Sequence, residues 1–177
     1  DYSGAVTAEA SLKGLRVYMA DRESLPVEVP PPPSPRWYWS RREIAEWLRS
    51  VAGSDEDRPD LLLVPAGLGG HADHRIVALA AASVASELPV PVGFYEDRPY
   101  VAYLDQDAID AQLAPLRIDL EVRAVSGPVT AATQRRMRRC YPSQIDPFFV
   151  EAMEHDLSAG AVERVWFPVG AVPAWLV

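Results

Sequence analysis

The sequence predicts an α/β fold: a mostly parallel, three-layer sheet in a Rossmann-like layout. Three observations carry this. The run Leu61-Leu62-Leu63-Val64 is apolar without alternation, as in a parallel-sheet strand buried on both faces. An alanine-rich apolar segment over 75–87 follows a Gly-Leu-Gly-Gly turn, and a second short apolar strand over 90–95 follows that. The order helix, strand, glycine loop, helix, strand is that of a crossover unit, for which right-handed parallel topology is expected.

Taken in order, residues 5–13 suit a short helix ending at Gly14, and 15–19 alternate with β-branched and aromatic content, predicting a strand. Residues 21–36 are a loop. Its prolines at 30–33 exclude helix and ladder and suit a stiff polyproline II connector. Ser40 with Glu43 three residues on has the spacing of a capping box, and Ile44, Trp47, Leu48 and Val51 share one face of a helix over 41–52 that stops at Gly53. After the strand, glycine turn, helix and strand already described, 96–116 reads as loop and short helix. Residues 117–125 alternate, predicting a half-exposed edge strand with Ile118, Leu120 and Val122 inward. A helix over 129–139 carries Arg135, Arg136, Arg138 and Arg139 on a solvated face. Another runs over 147–157 with Pro147 at its first position, and a last strand covers 162–167.

At 177 residues the chain suits one domain, and 49% hydrophobic with 24% charged residues are globular values. The net charge of −8 argues against a nucleic-acid backbone or an anionic membrane surface as partner. Cys140 is the only cysteine, which excludes an intrachain disulfide and a cysteine-rich zinc site; it is expected to be a buried structural thiol. No apolar run is long enough for a membrane span and no signal peptide is visible, so a cytoplasmic location is expected. A homo-oligomer is left open.

Two of the three histidines stand in His71-Ala72-Asp73-His74, just after a buried strand and a glycine turn, at a helix start. In an open α/β sheet this is where ligands bind, beyond the carboxyl ends of the strands. The partial positive charge of a helix start favours neutral imidazole, the form a metal ligand takes. Asp73 has two readings here: fixing a histidine tautomer or capping the helix. The two histidines are expected to face one cleft, with Asp97 or Arg98 at its rim. His155, on a late helix, is expected to be exposed and no ligand. Two histidines do not complete a catalytic zinc site, which takes three protein ligands. No P-loop, dinucleotide fingerprint or GxSxG elbow occurs.

The stretch from Leu61 through Pro65 to Gly69-Gly70-His71-Ala72-Asp73-His74-Arg75 resembles the second motif of the PIG-L/LmbE zinc-dependent N-deacetylases, an HPDHR or HVDHR run after a strand. Phe94-Tyr95-Glu96-Asp97-Arg98-Pro99-Tyr100, Cys140-Tyr141-Pro142-Ser143-Gln144-Ile145 and Glu163-Arg164-Val165-Trp166 resemble further stretches of that family in matching order. The resemblance covers about residues 58–167. It implies His74 as a zinc ligand, His71 as the residue that polarises the oxyanion or protonates the leaving amine, and Asp73 as an orienting residue. Gly69, Gly70, Asp97 and Arg98 would line the substrate cleft, and Zn2+ would be the cofactor. The implied reaction is hydrolysis of the acetamide of an N-acetyl amino sugar conjugate, typically an N-acetylglucosaminyl one, with release of acetate.

The family's first motif, HPDD or similar after its first strand, has no counterpart here; Asp21-Arg22-Glu23 follows a strand without a histidine. The expectation is therefore a single domain over 1–177 that lacks the family's first strand and helix, with an incomplete zinc ligand set. Two other readings stand beside it: a degenerate, non-catalytic relative that binds a sugar or a partner, and a hydrolase with a differently built metal site.

Overall fold

In the computed structural model the described residues are 17–19, 39–55, 58–125, 136, 140, 147–159 and 163–176. The expected helix over 5–13, the proline loop, Asp146 and three of the four clustered arginines (Arg135, Arg138, Arg139) lie outside them. Arg136 is helical and exposed, as expected.

Strand β1 (Val17–Met19) runs parallel to β2 (Leu61–Pro65), and β2 runs parallel to β3 (Val92–Tyr95). Between β1 and β2 lies α1 (Arg41–Ala52), started by the expected capping box. The Glu43 N–H donates to Ser40 Oγ at 3.2 Å, and the Ser40 N–H donates to Glu43 Oε2 at 2.7 Å. The Ser40 hydroxyl also donates to Glu43 Oε2 at 2.6 Å, and this bond with that from the Ser40 N–H holds the Glu43 carboxyl below its usual range. Ile44 and Leu48 are buried, and Trp47 and Val51 pack against the same core.

Helix α2 (Ala72–Ala82) begins three residues before the expected start and ends five before the expected end. The His71 carbonyl accepts the Arg75 N–H at 3.0 Å, so the first helical bond draws the histidine segment into the helix. At the other end the Ser83 hydroxyl donates to the Ala80 carbonyl and the chain turns. The small residues Ala78, Ala80 and Ala81, all buried, let α1 and β2 approach α2 closely. After β3 come α3 (Gln106–Leu113), capped by Asp105, then β4 (Leu120–Val125), α4 (Pro147–Ser158) and β5 (Glu163–Pro168).

The five strands form one sheet in the order β1-β2-β3-β5-β4. The expectation of a mostly parallel sheet is corrected here. β5 enters antiparallel between β3 and β4, so the sheet is mixed, parallel on one side and antiparallel on the other. β4 is an edge strand, as its alternation predicts, and Ile118 and Leu120 pack on the core. Val122 is 47% exposed rather than inward; its register partner Trp166 on β5 takes the buried place. β2 is covered on both faces, as expected. Leu62 and Val64 join the large core with α1 and α2, while Leu61 and Leu63 pack with Val165 and Phe167 on the other side. Cys140 is exposed, not buried, its Sγ donating to the Arg136 carbonyl one turn back.

Candidate functional site

The carboxyl ends of β2 and β3 lie side by side, tied by the Ala66 N–H donating to the Tyr95 carbonyl at 2.9 Å. A 3-10 turn (Leu68–Gly70) then leads into α2. His71 is the extended residue at the helix start. It is exposed, and its ring makes no capping bond. His74 stands three residues on, on the same side of the first turn. The two ring centroids are 4.5 Å apart, so the two rings lie together beyond the carboxyl end of β2.

Behind His74 sits Asp97, from the loop after β3. Its carboxylate is fully buried. Oδ2 accepts the Leu68 N–H at 2.7 Å, and Oδ1 lies 2.8 Å from His74 Nδ1 as an ion-pair contact; neither Oδ1 nor Nδ1 has a hydrogen-bond partner among the described residues. A carboxylate this close to Nδ1 favours the imidazole tautomer that carries its proton there, which leaves the lone pair on Nε2. Asp97 was expected at the rim as a substrate-binding residue; the structure places it beneath the site, against the ring. Asp73 sits half-buried on the first turn of α2, where negative charge suits the helix start.

Gly70 is exposed beside His71, with φ of +85° and open space around it. Gly69 has a different reason for being glycine. Its φ is +74°, and a Cβ there would stand 2.2 Å from the Tyr100 Cβ. The missing side chain brings Tyr100 to the histidines, with ring centroids 5.8 Å from His71 and 5.9 Å from His74. The Gly69 N–H donates to Gln112 Oε1 on α3 at 2.8 Å. Tyr100 is met edge-on by Phe149 of α4 at 5.3 Å. Sequence reasoning assigned no site role to Tyr100, Gln112 or Phe149. Tyr100 lies inside a stretch already singled out; Gln112 and Phe149 carry no local signal.

Arg98, expected to bind substrate, is engaged elsewhere. Its guanidinium pairs with Asp156 of α4 and lies 2.6 Å from Glu96 Oε2 and 3.7 Å from Glu163 Oε2. Arg164 pairs with Glu96 from the other side, its Nε at 2.8 Å from Oε1. Burial pulls the Arg98 pKa down, but the hydrogen bond to Asp156 and the charges of Glu96, Asp156 and Glu163 outweigh it and raise it, so the guanidinium stays charged. Burial pushes the Glu163 carboxyl up; Arg98 pulls it back in part, and Glu96 and Asp156 add to the rise. The network ties the loop after β3 to α4 and β5.

A histidine whose Nδ1 is held by a buried carboxylate is oriented as metal-ligating histidines are. A catalytic zinc takes three protein ligands, however, and among the described residues no group of three His, Cys, Asp or Glu side chains could hold a metal ion. The described residues do not by themselves make a zinc site. His155 is exposed and stacks on Tyr103, with ring centroids 4.7 Å apart.

No protein-family model matches the chain, and no curated protein matches it. Solved structures do. The zinc-inhibited form of the teicoplanin deacetylase Orf2 superposes with a TM-score of 0.52 at 24% identity, covering 73% of this chain and 51% of that one. A triple mutant of a deacetylase in the teicoplanin biosynthetic pathway gives 0.53 at 24% identity, covering 73% and 57%. A deacetylase–teicoplanin complex gives 0.52 at 20% identity, covering 72% and 51%. The chain thus has the fold of part of these deacetylases and spans about half their length. Among the described residues no helix is long and apolar enough to cross a membrane.

Proposed function

We propose that this chain, read as one domain over 1–177, carries part of the site of a zinc-dependent deacetylase that hydrolyses the acetamide of an N-acetyl amino sugar conjugate and releases acetate. The observation that carries the reading is the paired histidines at the carboxyl ends of β2 and β3, with the buried Asp97 carboxylate set against His74. The fold shared with the deacetylases supports it. His74 is the proposed zinc ligand, and the remaining ligands and the general base come from residues outside those described.

The chain's own residues act as follows. Asp97 holds the His74 ring, and through Leu68 it holds the turn that carries both histidines. His71, exposed at the helix start, polarises the acetamide carbonyl or hands a proton to the departing amine. Asp73 fixes the first turn of α2. Gly70 leaves room for the sugar and Tyr100 walls the cleft. Arg98 acts through the placement of α4. A second reading is a non-catalytic sugar- or partner-binding module, favoured by the lack of a three-ligand group among the described residues.

The test is acetate release from an N-acetylglucosamine conjugate with zinc added. It is run on these 177 residues and on the same chain with an HPDD-type segment supplied as an N-terminal extension. The expected result is negligible turnover by the chain alone, and turnover with the extension that His71→Ala abolishes. Turnover that His71→Ala leaves unchanged overturns the reading.

A further inference from the structure

Strand β4 ends the sheet, and among the described residues no strand lies beyond it. Its register shows which backbone groups face that open side. The Val169 N–H donates to the Asp119 carbonyl at 3.0 Å, and the antiparallel pairing continues with Glu121 opposite Phe167 and Arg123 opposite Val165. Alternate residues of an antiparallel strand bond the same neighbour, so Glu121 and Arg123 bond β5 while Leu120, Val122 and Ala124 turn N–H and C=O outward. Two observations agree. Leu120 stands opposite Pro168, which has no N–H to give, and Arg123 Nη1 reaches the outward Val122 carbonyl at 3.1 Å. The strand holds neither the proline nor the lysine that often blunts an edge. Val122 in its middle is 47% exposed.

The charges on the strand decide what fits this edge. A second copy related by a two-fold axis would meet it antiparallel, strand against the same strand. With the axis at Glu121, two glutamates stand opposite each other; with the axis at Arg123, two arginines do. Like charges directly opposite are destabilising. With the axis at Val122, Glu121 meets the partner's Arg123, Leu120 meets the partner's Ala124, and Val122 meets the partner's Val122 through the outward backbone groups. The Glu121 carboxylate is held ready for this. Its Oε1 accepts the Gly170 N–H at 2.8 Å, and its Oε2 takes Arg123 Nη2 of the same strand at 2.7 Å. On pairing, the partner's Val122 N–H replaces the guanidinium at the Val122 carbonyl, and the freed guanidinium turns to the partner's Glu121. Each hydrogen bond given up is replaced by another.

We propose that a second copy of this chain pairs with β4, antiparallel and centred on Val122, joining two sheets into one. The proposal stands apart from the deacetylase reading, since the histidines follow β2, three strands in from this edge. Strands of six residues bury less than the ~1,200 Å² of stable complexes, so the dimer is weak, half-formed at roughly 100 µM.

Sedimentation equilibrium of the full chain, well below and well above that concentration, tests the proposal. The weight-average mass is expected to double across the range. Val122→Pro removes an outward N–H and leaves the β4–β5 bonds in place, so it is expected to stay monomeric and folded by circular dichroism. Arg123→Glu and Glu121→Arg each oppose like charges and are expected to stay monomeric alone. Mixed in equal amounts they dimerise, because the doubly acidic strand then faces the doubly basic one. Hydrogen exchange locates the seam: the Val122 and Ala124 amides slow with concentration, whereas those of Glu121 and Arg123 do not. A wild-type chain that stays monomeric overturns the proposal, as does a dimer that survives Val122→Pro. A mixture of the two folded charge variants that stays monomeric also overturns it. Where Glu121→Arg fails to fold because it gives up the Gly170 bond, Val122→Pro decides alone.

Discussion

Replacing Asp97 with asparagine isolates what this carboxylate does to His74. The amide keeps one oxygen, which stays on the Leu68 N–H now bonded at 2.7 Å. Its NH2 group takes the place of Oδ1, 2.8 Å from His74 Nδ1. A donor now faces a nitrogen on which the carboxylate had favoured a proton. The ring relieves the clash by moving its proton to Nε2, so that Nδ1 accepts from the amide. The cleft then receives an N–H in place of a lone pair. The stability cost is the difference between a charge-assisted and a neutral buried hydrogen bond, about 1 kcal/mol. Asp97→Ala costs more, about 3–5 kcal/mol, because it also strands the Leu68 N–H.

Urea unfolding gives the two stabilities. Long-range 1H–15N NMR of the imidazoles gives the tautomer, which a residue of purely structural importance does not change. The expected result is a His74 ring that moves from the Nδ1–H to the Nε2–H form in Asp97→Asn while the His71 signals keep theirs. In a protein with a completed zinc site, metal affinity falls by about 10- to 100-fold with it. An unchanged His74 tautomer in a folded Asp97→Asn protein refutes the reasoning.

Gly69→Ala forces a Cβ onto Tyr100 from a left-handed backbone; urea unfolding should show a loss of about 2–4 kcal/mol, with the Tyr100 ring signals shifted. Ser40→Ala removes the α1 cap and should cost about 1 kcal/mol, a difference that narrows in acid as Glu43, whose folded pKa is depressed, takes up its proton. Glu163 has the opposite sign. Its folded pKa is raised, so the native state binds its proton more readily than the unfolded chain, and its ionisation works against folding once pH rises past the raised value. Glu163→Gln should raise stability near neutral pH by less than about 1 kcal/mol, given its partial exposure, and the gain should vanish where both states are protonated. His71→Ala, at an exposed ring with no capping bond, should leave the unfolding midpoint unchanged while abolishing acetate release in a completed site.

Helix α1 was legible because its signals are local: a cap, a box and an apolar face within a dozen residues. The buried strand and its glycine turn were legible for the same reason, and so was the pairing of the two histidines, whose closeness follows from i,i+3 spacing. The direction of the sheet was not. Each strand's pattern reports which faces are covered, not which neighbour it takes, and the insertion of β5 between β3 and β4 is a pairing made across 68 residues, as at Glu96 and Arg164. The alternation of β4 announced an edge, but not that Trp166 would fill the place meant for Val122.

The charged run after β3 shows why composition near a cleft does not fix a role. Glu96, Asp97 and Arg98 stand where a substrate-binding loop would stand, and a sequence reading turns them outward because charges are seldom buried. The fold turns them inward because each has a partner waiting. Asp97 is claimed by the Leu68 N–H and His74, Glu96 by Arg98 and Arg164, and Arg98 by Asp156. None of these partners lies within the run except Glu96 and Arg98 for each other. Removing one partner would leave an uncompensated buried charge, which costs several kcal/mol, so the set is retained or lost together. The charges hold His74 from below and tie the loop to α4 and β5.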